Sequence, residues 1–389
     1  MDHCDVLIVG GGPAGSTCAW RLKQAGLDVL IIEKERFPRD KVCAGWITPA
    51  VFDELELDPE EYGSGRLLQP ITGFRTGQIG NSGMETRYGR AVSYGIRRCE
   101  FDQFLALRSG ARLVEGTPCR HIEKHNGKWI VNGNIETKVV VGAGGHFCPV
   151  ARFLGARIGA EPVITAQEIE LKMTSHQRSQ CAAQAEIPEL YFCRDMRGYG
   201  WIFRKQDYLN IGLGRLDRHH LSRHVDAFLS FLVTIRRIPA DFPSTLSGHA
   251  YLLCNSMRRN VVGDGILLIG DAAGLAFSMS GEGIRPAIES ALLAAKVITE
   301  ARNARAPCSL KNYRSLLSSH FGKANSDCTS VLSRLIPKKA ALSLAGKLMA
   351  TRWFSQYVVL DQWFLRNEAG EIGYNARKYP QQRRVNGAL

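Results

Sequence analysis

Residues 1–33 limit most tightly what this chain can fold into. An apolar run, Asp5-Val-Leu-Ile-Val9, leads into Gly10-Gly-Gly-Pro-Ala-Gly15, and a second run, Asp28-Val-Leu-Ile-Ile32, ends at Glu33. Short Val- and Ile-rich runs of this kind are the pattern of buried parallel strands. Between them, residues 13–25 carry Ala19 and Leu22 at helical spacing, so the segment reads as strand, glycine turn, helix, strand. In the GxGxxG spacing, Gly10 permits the tight turn, Gly12 lets the backbone approach a pyrophosphate, and Gly15 lets helix and strand pack closely. The helix N-terminus adds unpaired N–H groups and partial positive charge. Glu33 stands where a carboxylate accepts from a ribose hydroxyl. In this order the features predict a Rossmann-like α/β domain for a dinucleotide.

A second constellation, Gly263-Asp-Gly-Ile-Leu-Leu-Ile-Gly-Asp271-Ala-Ala-Gly274, places an acid at the end of an apolar strand over 266–270. Asp271 is positioned to accept from a polyol hydroxyl. A long helix is expected from Gly283 to about Ala304, its dipole aimed at the same ligand. Short strands are expected within 70–92, a helix over 100–108, and strands over 111–116, 119–124, 128–132 and 137–142. Residues 165–173 and 208–214 alternate like strands of a separate antiparallel sheet. The expected organisation is a discontinuous dinucleotide-binding domain (1–72, 93–160 and 245–305), an inserted sheet domain (73–92 and 161–244) and a helical region (306–389).

Composition excludes several other classes. The chain has 389 residues, 45% hydrophobic and 22% charged, which suits a globular enzyme with a core that needs no staple. Its 11 cysteines are scattered without a CxxC pair, so reduced thiols and a cytoplasmic setting are expected. The histidines show no metal spacing, and no metal site is assigned. No Gly-x-Ser-x-Gly elbow points to a hydrolase. The apolar stretch Val6–Gly15 follows two aspartates and no basic segment, unlike a signal peptide. No run of about 18 uncharged apolar residues suggests a membrane span. Charge is uneven: residues 301–389 hold 15 Lys/Arg and 4 Asp/Glu, a net of +11 out of +13. Such a stretch is either a solvated helical tail or a surface for anionic lipid. With no recognition motif beside it, nucleic acid is not expected.

Three motifs together, GGGPAG with Glu33, Arg98-Cys-Glu-Phe101-Asp102, and Gly270-Asp-Ala-Ala-Gly274 with Ser280-Gly-Glu-Gly-Ile284, resemble FAD enzymes of the para-hydroxybenzoate hydroxylase type of fold. Two further stretches resemble the geranylgeranyl reductase family within that group. Asp40-Lys-Val-Cys43-Ala-Gly45 is similar to its Cys-Gly-rich loop beside the flavin, and Gly198-Tyr199-Gly-Trp201-Ile-Phe203 to its Tyr-x-Trp-x-Phe-Pro substrate motif. The resemblance covers about residues 3–300. It implies non-covalent FAD held through Gly10, Gly12, Ala14, Gly15, Glu33 and Lys34 at one end. At the other end it implies Arg98, Gly270, Asp271, Gly281, Gly283 and Ile284. It implies Cys43 as the proton donor opposite the hydride, and Tyr199, Trp201 and Phe203 as walls for a hydrophobic, isoprenoid substrate, although ordinary core packing would place the same aromatics. Only one convincing GxGxxG is present, so electrons are expected from NADPH docking transiently or from a ferredoxin-like protein.

Two departures stand out. Arg204 replaces the motif's proline and is expected to reshape or charge the pocket end. Gly142-Ala-Gly-Gly145-His146 replaces the usual Asp–Gly pair. The rival reading is an oxygen-dependent flavin monooxygenase or halogenase on the same fold. A third class is a flavin-bearing binding protein without turnover.

Overall fold

The apolar runs hydrogen-bond into the first sheet. In the computed structural model, which describes residues 1–81, 83–216, 220–243, 245–254, 259–304, 310–322, 348–349 and 351–366, Asp2–Val9 pairs in parallel with Val29–Ile32 and with Ile135–Gly142. Arg112–Val114 and Ile266–Leu268 extend the two flanks, also in parallel. Lys128–Val131 and Ile122–His125 add an antiparallel pair onto Ile135–Gly142. Val6–Val9 and Val29–Ile32 are buried at every position, as strands of a covered parallel sheet must be. The first helix, Pro13–Gln24, packs against the long helix Ile284–Asn303 and against Arg98–Arg108. These are the βαβ unit and the long helix expected from the sequence.

A second sheet runs in the order Ser247–Tyr251, Ile164–Lys172, Tyr208–Arg215, Gly198–Lys205, Glu189–Phe192, Gly73–Gln78, Met84–Arg87. It is antiparallel except where Glu189–Phe192 runs parallel to Gly73–Gln78. The sequence places the strand Ser247–Tyr251 within the dinucleotide-binding segments. Instead it pairs from Ile164↔Tyr251 to Glu168↔Ser247, which carries His249 and Tyr251 on this sheet's edge. Helix Leu221–Thr234 covers one face, where Phe228 and Leu232 meet Tyr191, Ile202 and Ile211. The other face carries Phe74, Phe192, Trp201 and Phe203. It is covered by Phe354–Leu365, a π-helix that buries Val359, Leu360, Phe364 and Leu365. A three-stranded sheet of Trp46–Ile47, Ser93–Ile96 and Leu68–Ile71 lies between the two parts.

Of the helical region expected over 306–389, Asn312–Gly322 packs on the long helix, with the Tyr313 hydroxyl donating to the carbonyls of Leu268 (2.9 Å) and Ser290 (3.3 Å). The segments 323–347 and 367–389 lie outside the described residues.

Candidate active site

The glycine turn separates packing from binding. Gly10 has φ +110°, and a Cβ there would stand 2.6 Å from the Ala143 carbonyl oxygen. A Cβ at Gly15 would overlap the Gly10 carbonyl oxygen. Both glycines are therefore required by the protein's own backbone. Gly12, the N-cap, differs: a Cβ there would meet only the Arg39 guanidinium at 3.6 Å and the Asp102 carboxylate at 4.0 Å. The first turn of the helix thus opens onto a cradle bordered by charge. Glu33 is buried and accepts from the Gly11 N–H (2.8 Å) and the Glu35 N–H (3.2 Å). Arg39 stands 3.6 Å from Glu33 and 3.0 Å from Asp102. Asp102, fully buried, also accepts both arms of Arg98 at 2.9 Å. Burial opposes the Arg98 charge, but the Asp102 carboxylate beside it holds its pKa above the ordinary arginine range. The helix N–H groups, with the Arg39 guanidinium beside Gly12, are the groups that would meet a phosphate here.

The second turn closes over the same space. Asp271 lies 3.7 Å from His249 Nε2, and Lys41 Nζ lies 3.0 Å from that same nitrogen. Burial works against the Asp271 charge, yet His249 and Lys41 hold its carboxyl below the usual range. Burial lowers Lys41 and His249 in turn. Gly281 has φ +71°, and a Cβ there would stand 2.5 Å from the Tyr251 hydroxyl. At Gly283 it would come within 3.2 Å of Asp271. Arg259 fastens this turn to the loop after Ile135–Gly142, donating to the carbonyls of Ala272 (2.9 Å) and His146 (3.1 Å) and pairing with Glu161 (2.6 Å). Burial and Arg259 push His146 down to about 4, so its imidazole is neutral at pH 7.

Cys43 stands between these turns and the second sheet. Its thiol lies beside Arg98 and accepts from the Gly45 N–H at 3.4 Å. Tyr199, Trp201 and Phe203 share one face of their strand, as alternation requires. Phe364 fills the space above, its ring 5.5 Å from both Trp46 and Tyr199. The Tyr199 hydroxyl donates to the Ser280 carbonyl at 2.5 Å, which fastens this aromatic face to the Gly281–Gly283 turn.

Known proteins share this arrangement. A family profile described as FAD dependent oxidoreductase matches residues 5–103. A digeranylgeranylglycerophospholipid reductase of Methanocaldococcus jannaschii is 26% identical over 313 residues, covering 77% of this chain and 78% of its own length. A menaquinone reductase of Mycobacterium tuberculosis is 30% identical over 356 residues, covering 83% of this chain and 81% of its own length. The chain belongs to the geranylgeranyl reductase family of FAD-dependent oxidoreductases. A solved geranylgeranyl bacteriochlorophyll reductase-like protein of Thermoplasma acidophilum shares the fold, with a TM-score of 0.73, 23% identity and coverage of 90% and 92% of the two chains.

The residues of this family member fit FAD. The open cradle at Gly12, with Arg39 above it, would hold the pyrophosphate, and Asp271 beside Gly283 would meet the flavin half. Not every expected residue points into that space. Lys34 turns its ammonium to solvent and pairs with Glu35 at 3.6 Å. Ala14 and Gly270 meet each other: a Cβ at Gly270 would be 3.1 Å from that of Ala14, so both are small because the first helix, the turn and the long helix converge there. Ile284 is buried against Phe52 and Phe101. Arg204 does not charge the pocket end. It lies on the opposite side of its strand from Phe203, donating to the carbonyls of Gln206 (3.1 Å) and Ala183 (3.3 Å). Trp201 and Phe203 are buried under the C-terminal π-helix rather than lining open space.

Several residues at the site escape sequence reasoning. Arg39, His249, Tyr251, Arg259 and Asn210 carry no motif spacing, and Lys41 lies in the Cys43 motif without a role that the motif assigns. Glu168 and Glu170 do leave a signal, since two acids alternate on one face of a strand of the antiparallel sheet.

Proposed function

We propose that this reductase hydrogenates a carbon–carbon double bond in a hydrophobic, isoprenoid substrate, with non-covalent FAD as cofactor and Cys43 as proton donor. The observation that carries the reading is the position of Cys43, its thiol beside Arg98 of the cofactor turn and its backbone held by Glu168 and Asn210 of the second sheet. The names of the relatives, menaquinone reductase and digeranylgeranylglycerophospholipid reductase, support reduction of polyprenyl compounds. Reduced FAD, when bound, supplies the hydride. The chain's own residues do the rest. Tyr199, which is only partly buried, offers flat apolar surface that orients an alkene and excludes water once Phe364 gives way. Cys43 gives its proton to the carbon opposite the one that receives hydride, and solvent restores it. Thus one hydride and one proton add across the double bond, and the thiol is unchanged over a cycle. The electron donor is external, either NADPH or a ferredoxin-like protein. We further propose that the basic C-terminal segment meets an anionic membrane surface, where such substrates reside.

The test is reoxidation of prereduced flavin by a panel of prenyl substrates in a single turnover without oxygen. Cys43→Ala should slow it by roughly 10²–10⁴-fold, the range for a lost general acid, with flavin content intact. Equal rates in the two proteins would reject the acid role. Wild-type flavin that no prenyl substrate reoxidises, but oxygen consumes with product formed, would replace the reductase reading with the oxygen-dependent one.

A further inference from the structure

Five polar side chains interrupt the otherwise apolar face that the second sheet turns toward the Cys43 loop. They come from adjacent strands in one patch: Glu168 and Glu170, Trp201 and Lys205, and Asn210. All are buried except Glu170, which is partly so. The register places Glu170 and Phe203 on either side of Asn210, and Glu168 and Trp201 on either side of Gly212. A Cβ at Gly212 would overlap the Trp201 indole, so the glycine makes room for that ring to lie across the neighbouring strand. Burying carboxylates, an amide and an ammonium together is costly unless each is hydrogen-bonded.

Their partners converge on one short loop. The Cys43 N–H donates to Glu168 Oε2 at 2.5 Å. The Asn210 amide nitrogen donates to the Cys43 carbonyl at 3.1 Å and to Glu168 Oε1 at 2.6 Å. Both backbone polar groups of Cys43 are therefore held by side chains from the other domain. Lys205 donates to the Ile96 carbonyl at 2.9 Å and pairs with Glu170 at 2.5 Å. A Cβ at Gly45 would stand 2.5 Å from the same ammonium, and the Ile96 N–H donates to the Gly45 carbonyl at 2.7 Å. The loop is thus pinned at both ends.

Trp201 holds the third corner of this clamp. Its indole nitrogen donates to Asn210 Oδ1 at 2.8 Å. An indole N–H can only donate, so the atom that meets it must be the amide oxygen, and the amide nitrogen is turned toward Cys43. Without the indole N–H, Asn210 Oδ1 loses this donor, and the amide is tied only through its nitrogen, to the Cys43 carbonyl and Glu168. We propose that Trp201, Asn210 and Glu168 are positioning residues that fix the Cys43 loop, and that Trp201 acts through Asn210 rather than as a wall for substrate. The catalytic consequence rests on the reading of Cys43 as proton donor. The clamp itself does not.

The experiment uses the full-length flavin-loaded protein and Trp201→Phe, which keeps an aromatic ring and removes only the donor side of the contact. Amide hydrogen exchange of the peptide spanning residues 41–46 should quicken by roughly tenfold, the scale of one lost hydrogen bond. Unchanged exchange would overturn the clamp whatever the enzyme reduces. The single-turnover rate with a prenyl alcohol should fall at least tenfold while its KM and the flavin content stay the same. A raised KM with an unchanged rate would instead return Trp201 to the substrate wall. In a Cys43→Ala background, Trp201→Phe should cost nothing more, because residues that act as a unit are not additive. A full additional loss there would overturn action through Cys43. Should Cys43→Ala alone leave the rate intact, the proton-donor reading fails while the exchange result still judges the clamp. Asn210→Ala should reproduce the faster exchange, and a protected loop in that variant would also overturn the proposal.

Discussion

Glu282 sits in the Ser280–Ile284 turn with neither carboxylate oxygen hydrogen-bonded among the described residues and only 8% of the residue exposed. Burial pushes its pKa from 4.5 up to about 7, Arg285 opposing and Glu289 adding to the rise. The folded state therefore holds this proton more tightly than the unfolded chain does. The associated stability is full below about 4.5 and is lost as pH climbs through about 7. Glu282→Gln keeps the shape and removes the charge. It should raise stability at pH 8 by up to about 3 kcal/mol, since each tenfold difference in proton affinity between the two states is worth about 1.4 kcal/mol. The gap should close toward pH 5. Thermal unfolding of both proteins between pH 5 and 8.5 checks this, and melting curves that stay parallel across the range would refute it. At this scale the sequence is most legible where sterics are local. Gly10 and Gly15 can be assigned because a Cβ at either meets backbone of the same turn or its neighbouring strand. Trp201 is only half legible: alternation gives its face, but its N–H partner Asn210 lies on the next strand, and no spacing reveals that.

The element that most changes the site is the π-helix Phe354–Leu365. The sequence suggests a helical region here, either a solvated tail or a surface for anionic lipid. In the fold its apolar side covers the aromatic face, with Phe364 between Trp46 and Tyr199. Single π turns are common at functional sites, and a run this long is unusual. Asp361 accepts from the Tyr88 hydroxyl at 2.7 Å, and the Arg366 guanidinium stacks 3.8 Å over Phe277. A chain that approaches Cys43 from this side has to displace Phe364. Tyr88→Phe removes a hydrogen bond to a charged group, worth about 1.5–3 kcal/mol. Amide exchange across 354–365 should quicken by about ten- to a hundredfold, with the main unfolding transition nearly unmoved. Protection that stays at the wild-type level would mean that packing alone holds the helix. The strand Ser247–Tyr251 shows the opposite limit of legibility. Its sequence is read with the dinucleotide-binding segments, and only pairing with Ile164–Glu168 puts it on the second sheet, with His249 beside Asp271 and Tyr251 beside Gly281.

At the scale of the whole molecule, charge and exposed aromatics coincide in the C-terminal quarter. Residues 301–389 carry +11 of the net +13. Beside the covered aromatic face, Trp353 is 63% exposed and Tyr357 50%, four residues apart and therefore on one side of their helix, with Arg352 also exposed. No helix among the described residues is long and apolar enough to cross a membrane. The proposed contact with a bilayer is one in which these residues rest on its surface. Such contact has two separable parts. The electrostatic part scales with anionic lipid and fades as the screening length falls from about 10 Å at 0.1 M salt to about 3 Å at 1 M. The apolar part comes from inserting the two rings and is insensitive to salt, at about 1.5–3 kcal/mol for an aromatic of this size. Binding to anionic vesicles should therefore weaken many-fold over that salt range in the wild type. Trp353→Ser with Tyr357→Ser should bind at least tenfold more weakly at every salt concentration while keeping the same slope. Vesicle sedimentation across a salt series reads both quantities. Equal binding to neutral and anionic vesicles would remove the electrostatic part. An unchanged affinity in the double variant would remove the aromatics, leaving the basic segment to act alone.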